Sequence, residues 1–323
     1  MASFNSKPKS LTTTIHNTDL ASNPSFIRSM FVIVRASAKA SPLTFEEESA
    51  YNFEDITVVG GAAYNVFRIK SKKMPEMKTR DIDMVWWTPK KVNNDVINSV
   101  VKKFRATLLH ANRVKQVQDN LKHIIKSLQK EPIHIEIHVS EPVTHLKGGF
   151  IVNSTLRLSI IIDGIHIKNI CEIVIHNGVS SQGYHLQNSQ HNIMAATVDP
   201  IYCNRNEDYT MLISTIRVPT VDRYIEQQLF AYTRLRSEDP TAESIAKSNI
   251  CLDRALHLRN LNDPDVTTMI DKLFSEAITT ICDTLIKEQP MGIASQYIKE
   301  VTEKVLDLQL NFEETMDAIT ACQ

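Results

Sequence analysis

The spacing of apolar residues changes several times along the chain, and each change predicts an element. Ile56-Thr57-Val58-Val59 is a short unbroken apolar run closed by Gly60-Gly61, as in a buried strand, and Ala62 to Lys70 then reads as a helix. Ser71 to Thr79 holds three Lys, a Pro and two Met and reads as a loop. Arg80 to Trp87 alternates in part, predicting a second strand that Pro89 closes. From Asn93 to Lys130 the period becomes helical. Val96, Val100, Phe104, Leu108, Val114, Val117, Leu121, Ile124 and Leu128 recur at three- and four-residue steps, with a break near Ala111. Ile133 to Val139 alternates strictly and is a strand. Leu156 to Ile162 and Ile165 to Ile175 flank Asp163-Gly164, the signature of a hairpin with a type I′ turn. Beyond Pro219 only helical periods remain, near 221–236, 241–261, 265–288, 295–308 and 312–321, punctuated by Asp239-Pro240 and Asn262-Asp263-Pro264.

These elements imply an α+β fold. A mixed sheet of about five strands, with the Gly60-Gly61 helix packed on it, is followed by an all-helical C-terminal domain. Strands after residue 130 arrive as hairpins without helical crossovers, which excludes a doubly wound parallel sheet. The expected divisions are 1–50 (a polar, loosely ordered leader to residue 24, then short helices), 51–200 and 201–323. At 323 residues, two domains are the natural count.

Charge adds an asymmetry that the net value of −1 conceals. Residues 1–199 carry 24 basic and 17 acidic side chains, whereas 200–323 carry 12 and 20. A basic half suggests a polyanionic partner. The helical stretch 93–130 presents Lys102, Lys103, Arg105, Arg113, Lys115, Lys122, Lys126 and Lys130 opposite its apolar stripe, with only Asp95 and Asp119 opposing them. Either a solvated face or an RNA-facing surface accounts for this. The five cysteines form no CxxC pair, so neither a Cys zinc site nor a secreted disulfide framework has support. No apolar run approaches membrane-spanning length. The expectation is a cytoplasmic protein without membrane contact.

Two features carry chemistry. The first is strand, Gly60-Gly61, helix. Glycine permits close backbone approach, and a helix N-terminus offers unpaired N–H groups to a phosphate. The second is Asp81 and Asp83, one residue apart on a strand, so that alternation sends both carboxylates to one face roughly 7 Å apart. Mutual repulsion of such a pair is relieved by a hard divalent cation, Mg²⁺ or Mn²⁺, which takes oxygen ligands.

Val58-Val59-Gly60-Gly61, a helix, and then Thr79-Arg80-Asp81-Ile82-Asp83-Met84-Val85 together resemble the polymerase-β-type nucleotidyltransferase signature: an hG[GS] turn, a helix and a Dh[DE]h strand. The 19 residues between Gly61 and Asp81 exceed the usual spacing, and the Ser71–Thr79 loop accounts for the excess. Within that superfamily the chain is most similar to the poly(A) polymerase catalytic subunits of large cytoplasmic DNA viruses. Ile170 to Gly178 resembles their third-carboxylate strand, and Arg217 to Leu229 the start of their helical part. The resemblance implies two-metal transfer of adenylate from ATP to an RNA 3′ end, in host cytoplasm or virion. Asp81, Asp83 and a third acid would hold the metals. Glu172 fits that third role, although the family usually has Asp there; Glu136, on a face with His134 and His138, is the rival. Gly60 and Gly61 would approach the triphosphate, with Lys247 and Arg254 as cations from the helical part. Lys102, Lys103 and Arg105 would bind RNA. Uridylyl- or CCA-adding activity, or a non-catalytic RNA-binding partner subunit, are the alternatives. A homodimer or an accessory subunit is compatible with the apolar stripes of the C-terminal helices.

Overall fold

The computed structural model describes residues 16–70, 74–88, 91–111, 115–128, 134–177, 210–221, 224–225, 227–228, 231, 235 and 241–259. Those up to Tyr224 belong to one compact unit and those from Ile225 to a second.

The first unit opens with α1 (Asn17–Ala21) and α2 (Pro24–Ala40), then α3 (Phe45–Ala50). The expected leader therefore ends in an ordered turn whose Leu20 and Ala21 are fully buried. The expected short helices are instead, over most of their length, one of 17 residues. Asn23 caps it by accepting from the backbone N–H of Ser25 and Phe26, Pro24 starts it, and nothing among the small residues Ala36 to Ala40 interrupts it. Its inner side buries Phe26, Ile27, Met30, Phe31 and Val34.

The sheet contains β1 (Thr57–Val59), β2 (Ile82–Trp87), β3 (Ile135–Val139), β4 (Val143–Lys147), β5 (Phe150–Ile162) and β6 (Ile165–His176). Its order is β1-β2-β6-β5-β3, with β4 also on β5. β2 and β6 run parallel; the other pairs are antiparallel, so the sheet is mixed as expected. The β5–β6 turn is formed by Asp163 and Gly164, both at positive φ, the geometry that type I′ demands. One face carries Met84, Trp86, Cys171, Ile173, Leu156, Leu158 and Ile160, all buried. On that side α5 (Asn94–Ala111) sets Phe104 edge-on to Trp86, with ring centroids 5.0 Å apart. α6 (Lys115–Leu128) follows the break near Ala111 and buries Leu121 and Ile125. The opposite face carries Asp83, Glu172, Arg157 and Glu136, all partly exposed.

α4 (Gly60–Lys70) packs against β1 and β2. A hairpin absent from the sequence reading, β7 (Thr210–Ile213) and β8 (Ile216–Pro219), packs against α4 and places β8 on β1. It turns through Ser214 and Thr215 at positive φ, without the Gly or Asn that signals such a turn. In the second unit, α7 (Ala242–Arg259) matches the helix expected near 241–261. The helices expected from 265 onward lie outside the described residues.

Candidate active site

The site is built where β1 ends. Val59 pairs with Asp83 on β2, and the next residue, Gly60, turns at φ +60° into α4. A β-carbon on Gly60 would lie 2.7 Å from Asp83 Oδ2, closer than real contacts allow. The backbone turn and the carboxylate therefore share a space that only glycine leaves open. Tyr224, fully buried, donates its hydroxyl to the Gly60 carbonyl at 2.8 Å and stands edge-on to Phe67, 5.2 Å between centroids. Buried Asn65 donates to the Gly61 carbonyl at 3.3 Å and to that of Met77 at 3.1 Å, so the helix start also anchors the chain leading to the acidic strand. Thr79 continues this anchoring, its N–H donating to Ser22 Oγ and its hydroxyl to the Asp81 carbonyl.

Asp81 stands one residue before β2, not within it, and Asp81 and Asp83 are both partly exposed on either side of fully buried Ile82. In the parallel β2–β6 pair, Asp83 is in register with Glu172, a neighbour across strands roughly 4.8 Å apart. Burial raises the pKa of the Cys171 thiol well above its ordinary value, and the charges of Asp83, Asp81 and Glu172 raise it further. All three carboxylates thus act on one buried sulfur.

Glu136 does not join them. It lies on β3 opposite Ile161, separated from β2 by β5 and β6, about 14 Å at the usual strand spacing. Its near neighbour is His134, with Nε2 4.0 Å from Glu136 Oε2.

The next residue in the row was not singled out in the sequence. Arg157 on β5 is in register with Glu172 and donates from Nε to Glu172 Oε2 at 2.8 Å. Its signal was the charge between Leu156 and Leu158 in an alternating strand, which sets it on the face opposite the core. Asp81 and Asp83 offer the oxygen donors that suit a hard divalent cation. Glu172 offers the same chemistry but is held by a guanidinium. Among the described residues no three His, Cys, Asp or Glu side chains form a ready ligand set.

The cations expected to meet RNA are distributed differently from expectation. Lys103 Nζ is 2.6 Å from Glu47 Oε2, and Glu47 is buried. Arg105 donates to the Ser140 carbonyl and to Glu141 Oε1 at 2.6 Å. Lys102 is exposed. Burial would push the Glu47 carboxyl upward, but hydrogen bonds from Lys103, Ser99 and the Thr44 backbone outweigh it and hold the pKa below its ordinary value. In the second unit, Lys247 Nζ is 2.9 Å from Glu243 Oε1, one turn away, and Arg254 is partly exposed, its Nε buried without a hydrogen-bond partner among the described residues.

No family model matches the chain, and no curated protein matches it. Two solved structures from Helicobacter pylori are similar to it. The structure of JHP933 is 11% identical, covering 89% of this chain and 95% of its own, with a TM-score of 0.32. The other, provisionally described as a nucleotidyltransferase, is 11% identical, covering 86% and 95%, with a TM-score of 0.26. Among the described residues no helix is long and apolar enough to cross a membrane.

Proposed function

We propose that the protein transfers a nucleotidyl group from a nucleoside triphosphate to an RNA 3′-hydroxyl, with ATP as donor, as a poly(A) polymerase does. The observation that carries this reading is the contact between a glycine turn at a helix N-terminus and a strand carboxylate, Gly60 against Asp83 Oδ2. A phosphate at the α4 N-terminus meets unpaired N–H groups there. Asp81 and Asp83 would hold a divalent cation, Mg²⁺ or Mn²⁺, which when bound would lower the pKa of an attacking hydroxyl and offset charge on the reacting phosphate. The hydroxyl oxygen gives its proton to solvent water and bonds to the α-phosphorus, the bond from that phosphorus to the oxygen bridging to the β-phosphate breaks, and pyrophosphate leaves with that oxygen.

The chain's own share is positioning. Tyr224 and Asn65 hold the glycine turn, and the β1–β2 register sets Asp83 beside it. Lys102 is the exposed cation of its trio offered to the RNA backbone.

A second reading, a non-catalytic RNA-binding subunit, is favoured by the Arg157 contact that occupies Glu172. Extension of a short RNA primer with Mg²⁺ and each of the four nucleoside triphosphates in turn separates the two. Extension with ATP supports the polymerase; RNA binding without extension by any nucleotide supports the subunit.

A further inference from the structure

Arg157, Glu172 and Asp83 stand side by side on three neighbouring strands, β5, β6 and β2, at one level of the sheet. This row sets two carboxylates, Asp83 and Glu172, in register on adjacent strands, with Asp81 one residue before the same strand as Asp83. Without a cation, such like charges repel. The guanidinium at 2.8 Å supplies the compensating positive charge.

Two features make that compensation reversible. The contact runs through Nε, and the side chains of Arg157 and Glu172 are 43% and 31% exposed, so water replaces the bond at small cost. The backbone beneath is fixed. The Arg157 N–H donates to Ser140 Oγ, its carbonyl accepts from the Ser140 N–H, and both strands are paired on each side. Side-chain rotation alone then separates the pair.

We infer that Arg157 is an exchangeable counter-ion: it holds Glu172 in the cation-free protein, and a divalent cation bound by Asp81 and Asp83 recruits Glu172 only by displacing it. The inference rests on the reading of Asp81 and Asp83 as cation ligands, and deepens it by assigning Arg157 control over how tightly the cation is held. Arg157 is a positioning residue here, acting through Glu172. A site so guarded binds a free cation weakly and keeps the Glu172 charge compensated while no cation is bound.

The test uses the full chain and Mn²⁺ alone, without nucleotide, with free Mn²⁺ measured by electron paramagnetic resonance. Arg157→Gln removes the competitor and should tighten Mn²⁺ binding up to about fivefold, the worth of an exposed ion pair. Arg157→Lys, which keeps the charge, should fall between Gln and wild type. Removing any positive charge near a cation site raises affinity somewhat, so the deciding measurement is the cycle with Glu172→Gln. In the Glu172→Gln background the Arg157→Gln gain should shrink to that small general electrostatic term. Unchanged or weaker Mn²⁺ binding by Arg157→Gln overturns the inference, as does a gain that persists undiminished without Glu172. Circular dichroism confirms that each variant is folded. Primer extension by the wild type reports on the underlying activity separately. Absent extension alongside an intact Arg157–Glu172 cycle sinks the polymerase reading and leaves the exchange standing, whereas extension without the cycle does the reverse.

Discussion

The Tyr224 hydroxyl donates to the Gly60 carbonyl across 164 residues of sequence, at 2.8 Å. A side chain that follows the β7–β8 hairpin thus restrains the turn that faces Asp83. Tyr224→Phe keeps the ring against Phe67 and removes only this bond. Urea unfolding should show a loss of about 1 kcal/mol. Turnover in primer extension should fall while RNA affinity stays unchanged.

Gly60→Ala tests the turn from within. At φ +60° an alanine costs about 1–2 kcal/mol, and its methyl would meet Asp83 Oδ2 at 2.7 Å. Asp83 must then move. A displacement near 1 Å costs about 100-fold in rate, so activity should fall far more than stability. Equal losses in chemical denaturation and in extension would place Gly60 in folding alone.

Asp81→Asn and Asp83→Asn should each reduce nucleotide transfer by about 1,000-fold or more, since a metal-based site depends on several kcal/mol of charge stabilisation. Both variants should stay folded, because removing one of several neighbouring like charges relieves repulsion. Wild-type extension by either variant would remove that residue from the site.

Glu47 supplies a pH signature independent of catalysis. Its folded pKa lies below the ordinary 4.5, so its contribution to stability is present above that value and is lost as pH falls through the folded pKa. Lys103→Met leaves a buried carboxylate without its partner and should cost on the order of 3 kcal/mol at pH 7. With Lys103 gone, burial dominates and raises the Glu47 pKa, so the deficit should shrink as the pH approaches 4. Urea titrations of both proteins at pH 7 and pH 4 measure it.

The same ion pairs sharpen the expected RNA contacts. Lys102→Gln should lower the slope of log affinity against log salt by about 0.7, the value for one contact with a single strand. Lys103→Gln should leave the slope unchanged, because its ammonium is already engaged by Glu47. Filter binding between low and moderate salt decides.

The glycine turn, the acidic strand and the Asp163-Gly164 hairpin were legible because each depends on local chemistry: φ freedom, alternation, or a turn that demands two positive φ values. Sheet order was not. Alternation set Glu136 and Glu172 on outward faces alike, and only the placement of β6 beside β2, with β3 three strands away, separates them. Arg157 escaped notice for the same reason, since its relation to Glu172 is one of register across a hairpin rather than of spacing along the chain. Helix α2 outruns its apolar run because Ala36 to Ala40 are mostly small residues that break the apolar period without breaking the helix, although Ser37 and Ala38 are buried. The β7–β8 hairpin was hidden by its turn residues, Ser214 and Thr215.

The parallel pairing of β2 with β6 has a consequence for the order in which the molecule is made. Along the chain, α5, α6 and three strands separate those two partners, so their meeting closes a loop of about 90 residues and comes at a higher entropic cost than the neighbouring hairpins. During synthesis, Asp81 and Asp83 emerge well before the strand that seats them. A polypeptide stopped short of Ile165 leaves β2, with Asp83 on it, without the strand that carries Glu172. The alignment of Asp83 with Glu172 therefore comes into being only once translation has carried β6 clear of the ribosome.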